Sequence, residues 1–452
     1  MKKLLLMTAV CCLGLAAASA QETDVNQYGQ VVNVTPLNAE MQDGILVIKS
    51  KDSAYKVWFD IRVQGDAAVY FGQNKDYDPI GNGMSLRRTR FAVKAQLDEN
   101  WYGEFDTDWT SGLPEIKDAY IAFNGVPGLE IQAGNFKENF SIQRNNTSRY
   151  LQFMERPMVT SLAPSRHLGL NVTWSQPLYW LSGGVFGPEL KSSEEQTYME
   201  DNNKDYGRSE GLSYTLKGVL RPMYKSKNGA LHIGAAFSYR NPKTTNTDGY
   251  AVARYSSRNS TNINRKKYLD TDDMPGMDHE IAWTVELAGH WKGLRYETAY
   301  LARTAYFDPT VNDIVPQKAD GWYAQAGILL FGGRQNYDAD GAKYTRVTRG
   351  RSWGDLELCA RYEYCNFNTA DYFGGSAEAY TLGLNWYATN NVKIVLNYQF
   401  NNNDRYANGK GKLLVGHDAA GNPTSDYTKV VESDGKAGVD YHMIALRFEV
   451  AF

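Results

Sequence analysis

The chain ends on Ile444-Ala445-Leu446-Arg447-Phe448-Glu449-Val450-Ala451-Phe452, and the reading of this stretch decides the fold. Ile444, Leu446, Phe448, Val450 and Phe452 are apolar, and Ala445, Arg447, Glu449 and Ala451 separate them. Successive side chains of a strand point to opposite faces, so this is a strand with one apolar and one charged face. The edge strand of a soluble sandwich alternates in the same way, so the pattern alone favours the membrane only modestly. The aromatic residue at the last position is the sharper mark.

Upstream, the same alternation recurs. Val392, Ile394, Leu396, Tyr398 and Phe400 are interleaved with Lys393, Val395, Asn397 and Gln399, and Leu356 to Tyr364 with Asp355, Glu357, Cys359, Arg361 and Glu363. Trp101, Gly103, Phe105, Thr107 and Trp109 alternate with Tyr102, Glu104, Asp106 and Asp108. Aromatic residues gather at segment ends, where the two interfacial girdles of a transmembrane barrel lie. Strands are expected at 55–71, 84–97, 100–110, 117–124, 128–134, 165–175, 179–187, 211–221, 231–240, 279–291, 293–304, 321–333, 353–366, 377–388, 391–402 and 440–452. The fold class is therefore all-β: a transmembrane antiparallel barrel of about 16 strands, with 14 or 18 as the neighbouring counts. An even number puts both termini on the periplasmic side. A strand of this kind ending on an aromatic residue is similar to the signature that barrel-assembly machinery recognises, which makes that machinery an expected partner.

Connection lengths test the count. Such barrels have short periplasmic turns and long outer loops. The links 97–100, 125–128, 175–179, 292–293 and 389–391 are tight, and 135–164, 188–210, 241–278, 305–320 and 403–439 are long. The connection 334–352 breaks the phase: it is long where a periplasmic turn belongs. Either a strand pair is misplaced there or the turn is extended.

The N-terminus fixes the compartment. Met1-Lys2-Lys3 is basic, Leu4 to Leu15 is almost unbroken apolar sequence, and Ala18-Ser19-Ala20 suits signal peptidase. Residues 1–20 are expected to be a cleaved signal peptide, since the run is short for a membrane span. Cys11 and Cys12 lie inside it, and Thr8-Ala9-Val10-Cys11 fits a lipidation signal poorly. Residues 21–54, with Pro36, are expected to be a periplasmic segment without a domain of its own, too short for the plug of an active transporter. Residues 55–452 form the barrel, located in a Gram-negative outer membrane among its lipids and lipopolysaccharide. No apolar run of helix-spanning length follows the signal, but a barrel needs only every second residue apolar. The formal charge of −3, more negative without Lys2 and Lys3, argues against a nucleic-acid partner. Cys359 and Cys365 fall about 20 Å apart on an extended strand, beyond the roughly 7 Å reach of a disulfide. They are expected to be free thiols on one face.

Several blocks resemble the phosphate-selective porin O and P family. They are Arg87-Arg88-Thr89-Arg90-Phe91, Ile116-Lys117-Asp118-Ala119-Tyr120, Leu129 to Lys137, Phe153-Met154-Glu155-Arg156, Thr381 to Tyr387 and Val395-Leu396-Asn397-Tyr398. They occur in that family's order. The resemblance implies a trimeric, sixteen-stranded porin whose third outer loop folds into the lumen; the strand count independently makes 135–164 that loop.

In such a pore, the chemistry is the electrostatics of the constriction. Rings of Lys and Arg favour anions, and the planar guanidinium suits phosphate. Alternation places Arg62, Arg88, Arg90, Lys94, Arg295, Arg303, Arg361, Lys393 and Arg447 in the lumen. The same rule places Asp60, Glu104, Asp106, Asp108, Asp118, Glu130, Glu286, Glu297, Asp355, Glu357, Glu363 and Glu449 there. The wall as a whole is thus no anion filter. The loop, with Lys137, Arg144, Arg149 and Arg156 against Glu138 and Glu155, is net basic, and Arg166 and His167 follow it. The expected anion path is Lys137, Arg144, Arg149 and Arg156, together with Arg87, Arg88 and Arg90, and its solutes are small anions. The competing reading is ion pairing: Arg156 with Glu155 or wall acids, and Arg88 and Arg90 with Asp106 and Asp108. Arg254, Arg258, Arg265, Lys266 and Lys267 are expected on a solvated loop rather than in a basic vestibule.

No cofactor is expected, and no metal. Asp270, Asp272, Asp273 and Asp278 lack the spacing of a calcium loop, and the six histidines lack ligand spacing. An enzyme is not expected either: there is no Gly-x-Ser-x-Gly elbow or phosphate-cradling glycine loop, and His232, His279, His290 and His442 have no evident partner. The rival function is a barrel admitting oligosaccharides or other nutrients without phosphate selectivity, which aromatic residues along the lumen would favour.

Overall fold

A computed structural model describes residues 24–32, 35–42, 44–72, 80–187, 189–190, 211–242, 250–258, 261–403, 416–424, 426–431 and 440–452. The expected signal peptide and much of the 188–210 and 403–439 connections lie outside the described residues. Sixteen antiparallel strands close a barrel: β1 Lys56–Phe71, β2 Gly83–Gln96, β3 Trp101–Asp108, β4 Glu115–Val126, β5 Leu129–Lys137, β6 Arg166–Ser175, β7 Tyr179–Phe186 and β8 Ser213–Leu220. There follow β9 Gly229–Arg240, β10 Met277–Trp291, β11 Leu294–Phe307, β12 Gln317–Leu329, β13 Asp355–Asn368, β14 Phe373–Tyr387, β15 Val392–Asn403 and β16 Tyr441–Ala451. Each coincides with one expected strand.

Closure joins the ends of the chain. β16 pairs with β1 from His442↔Phe71 to Ala451↔Arg62, and Phe452 exchanges backbone hydrogen bonds of 2.7 and 3.0 Å with Ile61. Closure leaves the sixteen-stranded wall without an open edge, as a membrane requires. On β16, Ile444, Leu446 and Phe448 are about half exposed while Arg447 and Glu449 are buried, so the apolar face looks outward. Four exposed tryptophans (Trp101, Trp174, Trp291 and Trp386) sit at the tight-turn end of their strands. They form the interfacial belt of that end. A charge on the apolar band loses hydration, so Leu446→Arg is expected to cost about 2–4 kcal/mol, measured by urea unfolding in phospholipid vesicles.

The tight turns follow local chemistry. Val126 pairs with Leu129, leaving Pro127 and Gly128 as the centre of the turn; Gly128 has φ +79°, as a type II turn requires. Two connections depart from simple turns. Residues 334–352 are extended, which leaves the strand count intact, and they carry the small hairpin Tyr337–Asp338 with Lys343–Tyr344. The Tyr344 hydroxyl donates to the Gly289 and Tyr296 carbonyls at 2.8 and 2.9 Å, and Arg295 stacks on its ring at 3.6 Å. This connection thus packs onto inward-facing wall positions. Ahead of β1, a hairpin of Leu37–Gln42 and Ile45–Ser50 extends the sheet by pairing Val47–Lys49 with Lys56–Trp58. No strand is expected there from the alternation pattern, whose first segment begins at residue 55.

Cys359 and Cys365 are free and buried on one face, as expected. The segment expected to be a solvated loop is not one. Tyr255, Tyr268 and Leu269 are buried, Ser257 Oγ donates to the Met158 carbonyl at 3.0 Å, and Arg254 chelates Asp270 and reaches Asp273. Arg254 is thereby neutralised within the segment, and Lys267 donates to Ser256 Oγ at 2.9 Å.

Candidate functional site

The site is built by residues 138–165, between β5 and β6, against the wall. The loop contains one helical turn, Ile142–Asn145, capped by Ser141, and its apolar residues Phe140, Ile142, Phe153, Met158 and Val159 are buried. Its polar groups bond inward-facing wall residues far around the barrel. The Ile142 amide donates to Glu286 at 2.7 Å, Gln143 to Glu297 at 2.6 Å, Gln152 to Glu357 at 2.7 Å and the Met158 amide to Glu363 at 2.5 Å. On other strands, the Met154 amide donates to Asn397 and Arg62 donates to Ser148. A buried carboxylate is tolerable only when hydrogen-bonded. Four acids counted as lumen charge therefore serve as anchors for the loop, and Glu286, Glu297, Glu357 and Glu363 are all at most 4 % exposed.

What remains open is a cavity of about 460 Å³ between the loop and the β1–β6 wall. Its wall is a ladder of opposite charges: Lys94 lies 3.4 Å from Asp60 and 3.3 Å from Glu104, Arg90 bridges Asp106 and Asp108 at 3.3 and 3.2 Å, and Arg166 grips Asp118 at 3.0 and 2.7 Å. The register sets Asp106 directly opposite Asp118, a like-charge pair that needs these guanidinium neighbours. Glu104, Asp106 and Asp118 come close enough to hold a cation, but each already has a basic partner.

The seven expected anion-path residues divide in two. Arg87, Arg88, Arg90 and Arg149 are engaged with carboxylates. A β-bulge makes Arg87 the extra residue opposite Gln64–Gly65, so Arg87 and Arg88 both turn inward. Arg87 then holds Glu155 with two bonds of 2.5 and 3.0 Å, and Arg447 reaches the same carboxylate at 2.9 Å while chelating Asp66 at 2.7 Å. Arg88 donates to Gln64 at 2.7 Å and lies 4.0 Å from Glu155. Arg149 pairs with Asp60. The ion-pairing expectation holds for Arg90 with Asp106 and Asp108 but not for Arg88, nor for Arg156 with Glu155.

Lys137, Arg144 and Arg156 have no carboxylate within ion-pair distance among the described residues. Arg144 donates to the Ala163 carbonyl at 3.2 Å, and Arg156 to the Gln143 and Asn146 carbonyls at 2.6 and 2.7 Å. Among the described residues, Lys137 is the only base lining the open cavity without such a partner, and its electrostatic neighbours are the cations Arg166, Arg156 and Arg90 and the carboxylate of Asp118. Burial, and then Arg144, push the Arg156 guanidinium down from its usual range; burial, and then Arg166, do the same to Arg144. An anion at this point relieves a repulsion already present.

Sequence reading missed the acids at the other end of the cavity, Asp338 and Asp340, which come from the extended 334–352 connection. It also missed Lys217, which meets Glu286 at 2.5 Å. Three of the four histidines named from the sequence do have partners: His232 lies 2.9 Å from Glu286 and 2.7 Å from the Tyr337 hydroxyl, His279 lies 2.8 Å from Asp278, and His442 lies 2.9 Å from the Tyr398 hydroxyl. Inward-facing rings form a track, Trp58–Tyr102–Tyr120–Phe136–Phe186, with centroids 5.8–5.9 Å apart. Phe136 and Phe186 are almost fully buried, and Phe186 lies so close over Gly169 and Gly184 that a Cβ there would come within 2.5–2.6 Å. The buried part of the track packs the wall.

The chain is similar to Porin O of Pseudomonas aeruginosa, at 22% identity over 400 residues, 81% of this chain and 88% of that protein. It is also 26% identical over 330 residues to an uncharacterized protein of Caulobacter vibrioides, covering 71% of this chain and 63% of that relative's length. Among solved structures, OmpT of Vibrio cholerae superposes with TM-score 0.50 at 10% identity over 89% of this chain and 99% of that one. An anion-selective porin from Comamonas acidovorans superposes at 0.49 with 11% identity, covering 88% of this chain and 100% of that one. At these identities the structural likeness speaks to the barrel fold alone. The model of the family of phosphate-selective porins O and P matches residues 57–421, most of the chain, and with a closed sixteen-stranded wall around a charged passage the protein belongs to that porin family.

Proposed function

We propose that the protein is a passive, water-filled outer-membrane channel for small anions, phosphate or a related oxyanion first, working as a homotrimer. The observation that carries this reading is the set of Lys137, Arg144 and Arg156, three cations without a carboxylate partner among the described residues, where Arg87, Arg90, Arg149 and Arg166 are paired. We read residues 138–165 as the constriction. The loop covers the acids of β10, β11 and β13, so a solute in the cavity meets the β1–β6 ladder and Lys137, whose positive field Arg156 reinforces. In a narrow passage with low-dielectric walls, a small local excess of charge dominates selectivity. The acids Glu130, Asp338 and Asp340 stand near the periplasmic end of the cavity and favour release. The partners are small anionic solutes, with lipid and lipopolysaccharide against the apolar band.

The test is titration of inorganic phosphate against the chloride current of the purified protein in a planar bilayer. Phosphate is expected to block, and Arg156→Ala to raise the half-blocking concentration about tenfold, the loss of one hydrogen bond to a charged group. Absence of block, with oligosaccharides reducing the current instead, would favour a nutrient channel using the half-buried rings Trp58, Tyr102 and Tyr120.

A further inference from the structure

We infer that the barrel carries a second site at its periplasmic end, for an organic anion bearing an apolar ring. The extended connection 334–352 does not merely narrow the lumen. Together with the turns after β4, β6 and β8, its first residues enclose a second cavity of about 670 Å³, within the size range of small-molecule sites. Asp340 alone lines both cavities, so this space lies on the far side of the connection from the basic constriction.

The lining has two characters. One is cationic: Lys227 and Arg334 are exposed bases, and Arg334 donates a 2.5 Å bond to the Lys227 carbonyl, which sets the two side by side. The only acid there is Asp340. The other character is apolar, with Met223 and Tyr224 among the lining residues. Between them stands His290, 8 % exposed, whose Nδ1 is buried without a hydrogen-bond partner. A buried ring nitrogen without a hydrogen bond is destabilising, and a polar group on a ligand in this cavity satisfies it. Inorganic phosphate satisfies the bases but leaves the apolar lining wet. An anion with a ring satisfies both, placing its charged group on Lys227 and Arg334 and its ring by Tyr224 and Met223. This site uses none of the constriction residues, and it stands whether or not the pore selects phosphate.

The experiment is isothermal titration of the full-length, detergent-solubilised protein with phenyl phosphate and, separately, with inorganic phosphate. Phenyl phosphate is expected to bind at least about tenfold tighter than phosphate, with the difference unchanged in Lys137→Ala and abolished in Lys227→Ala/Arg334→Ala. Both substituted residues are exposed, and heat-modifiable electrophoretic mobility confirms that the variant barrel is intact. A second variant, His290→Phe, keeps the volume and removes the nitrogen, and is expected to weaken phenyl phosphate severalfold. Equal affinity for the two ligands, no binding at all, or loss in Lys137→Ala rather than in the double variant would overturn the proposal. Binding of phenyl phosphate without phosphate block of the chloride current would sink the phosphate reading and leave this site standing.

Discussion

Glu155→Gln is expected to destabilise the loop by about 3 kcal/mol, the lower end for a broken buried ion pair because lumen water reaches the site. The carboxylate is the meeting point of Arg87, Arg447 and, at 4.0 Å, Arg88. Burial alone pushes its pKa up, but Arg87, Arg88 and Arg447 outweigh that and hold it well below the usual carboxylate range. A depressed carboxylate contributes stability that is present above its unfolded value and is lost only as pH falls through the folded one. The wild-type loop therefore keeps this contribution well into acid, and the variant lacks it at every pH. With a neutral amide at the centre, three guanidinium groups share Asp66 as the remaining carboxylate. Two results are expected together: a lower thermal midpoint for the purified protein, and a stronger preference for anions, since Arg87 and Arg88 lose their counter-charge. A lower midpoint with unchanged selectivity would show that Arg87 and Arg88 do not face the ion path.

The second large effect is expected for Lys137→Glu. Lys137 closes β5 at the loop and is the one unpaired base on the open cavity. A carboxylate there would draw in Arg166 and Arg156, cancelling neighbouring cations as well as its own. Phosphate block is expected to disappear, and conductance in dilute salt, where screening is weak, to fall severalfold. Arg149→Ala is the contrast. Arg149 is already neutralised by Asp60, and Asp60 keeps Arg62 at 3.6 Å and Lys94 at 3.4 Å when it is gone. Its effect on block is expected to stay within about twofold, the scale of a screened, compensated charge. Equal effects from both substitutions would mean that pairing does not decide which bases the solute meets.

The strands were legible in the sequence because a membrane wall imposes period two on every one of them. The fourth and fifth strands could be joined at Pro127-Gly128 and the last strand could be closed on Phe452 from local chemistry alone. The site was only half legible. The adjacent Glu155 and Arg156 invite pairing, yet they diverge: Glu155 meets Arg87 and Arg447 across long stretches of chain, and Arg156 turns to backbone carbonyls. The bulge that turns both Arg87 and Arg88 inward depends on the register of two strands, which neither strand shows by itself. Counting wall charges misjudged the lumen for a related reason. Glu286, Glu297, Glu357 and Glu363 have the parity of pore-lining acids, but the loop lies over them. The length of 334–352 was visible as an anomaly, whereas its path onto the wall through Tyr344 was not.

If unpaired cations make this passage an anion path, the reversal potential of the wild-type protein in a planar bilayer under a potassium chloride gradient shows it. The structure predicts a potential displaced toward that of chloride, shrinking toward zero in Lys137→Ala/Arg144→Ala/Arg156→Ala. A wild-type potential at zero or on the potassium side would contradict the claim and leave a sixteen-stranded porin whose charges serve its fold.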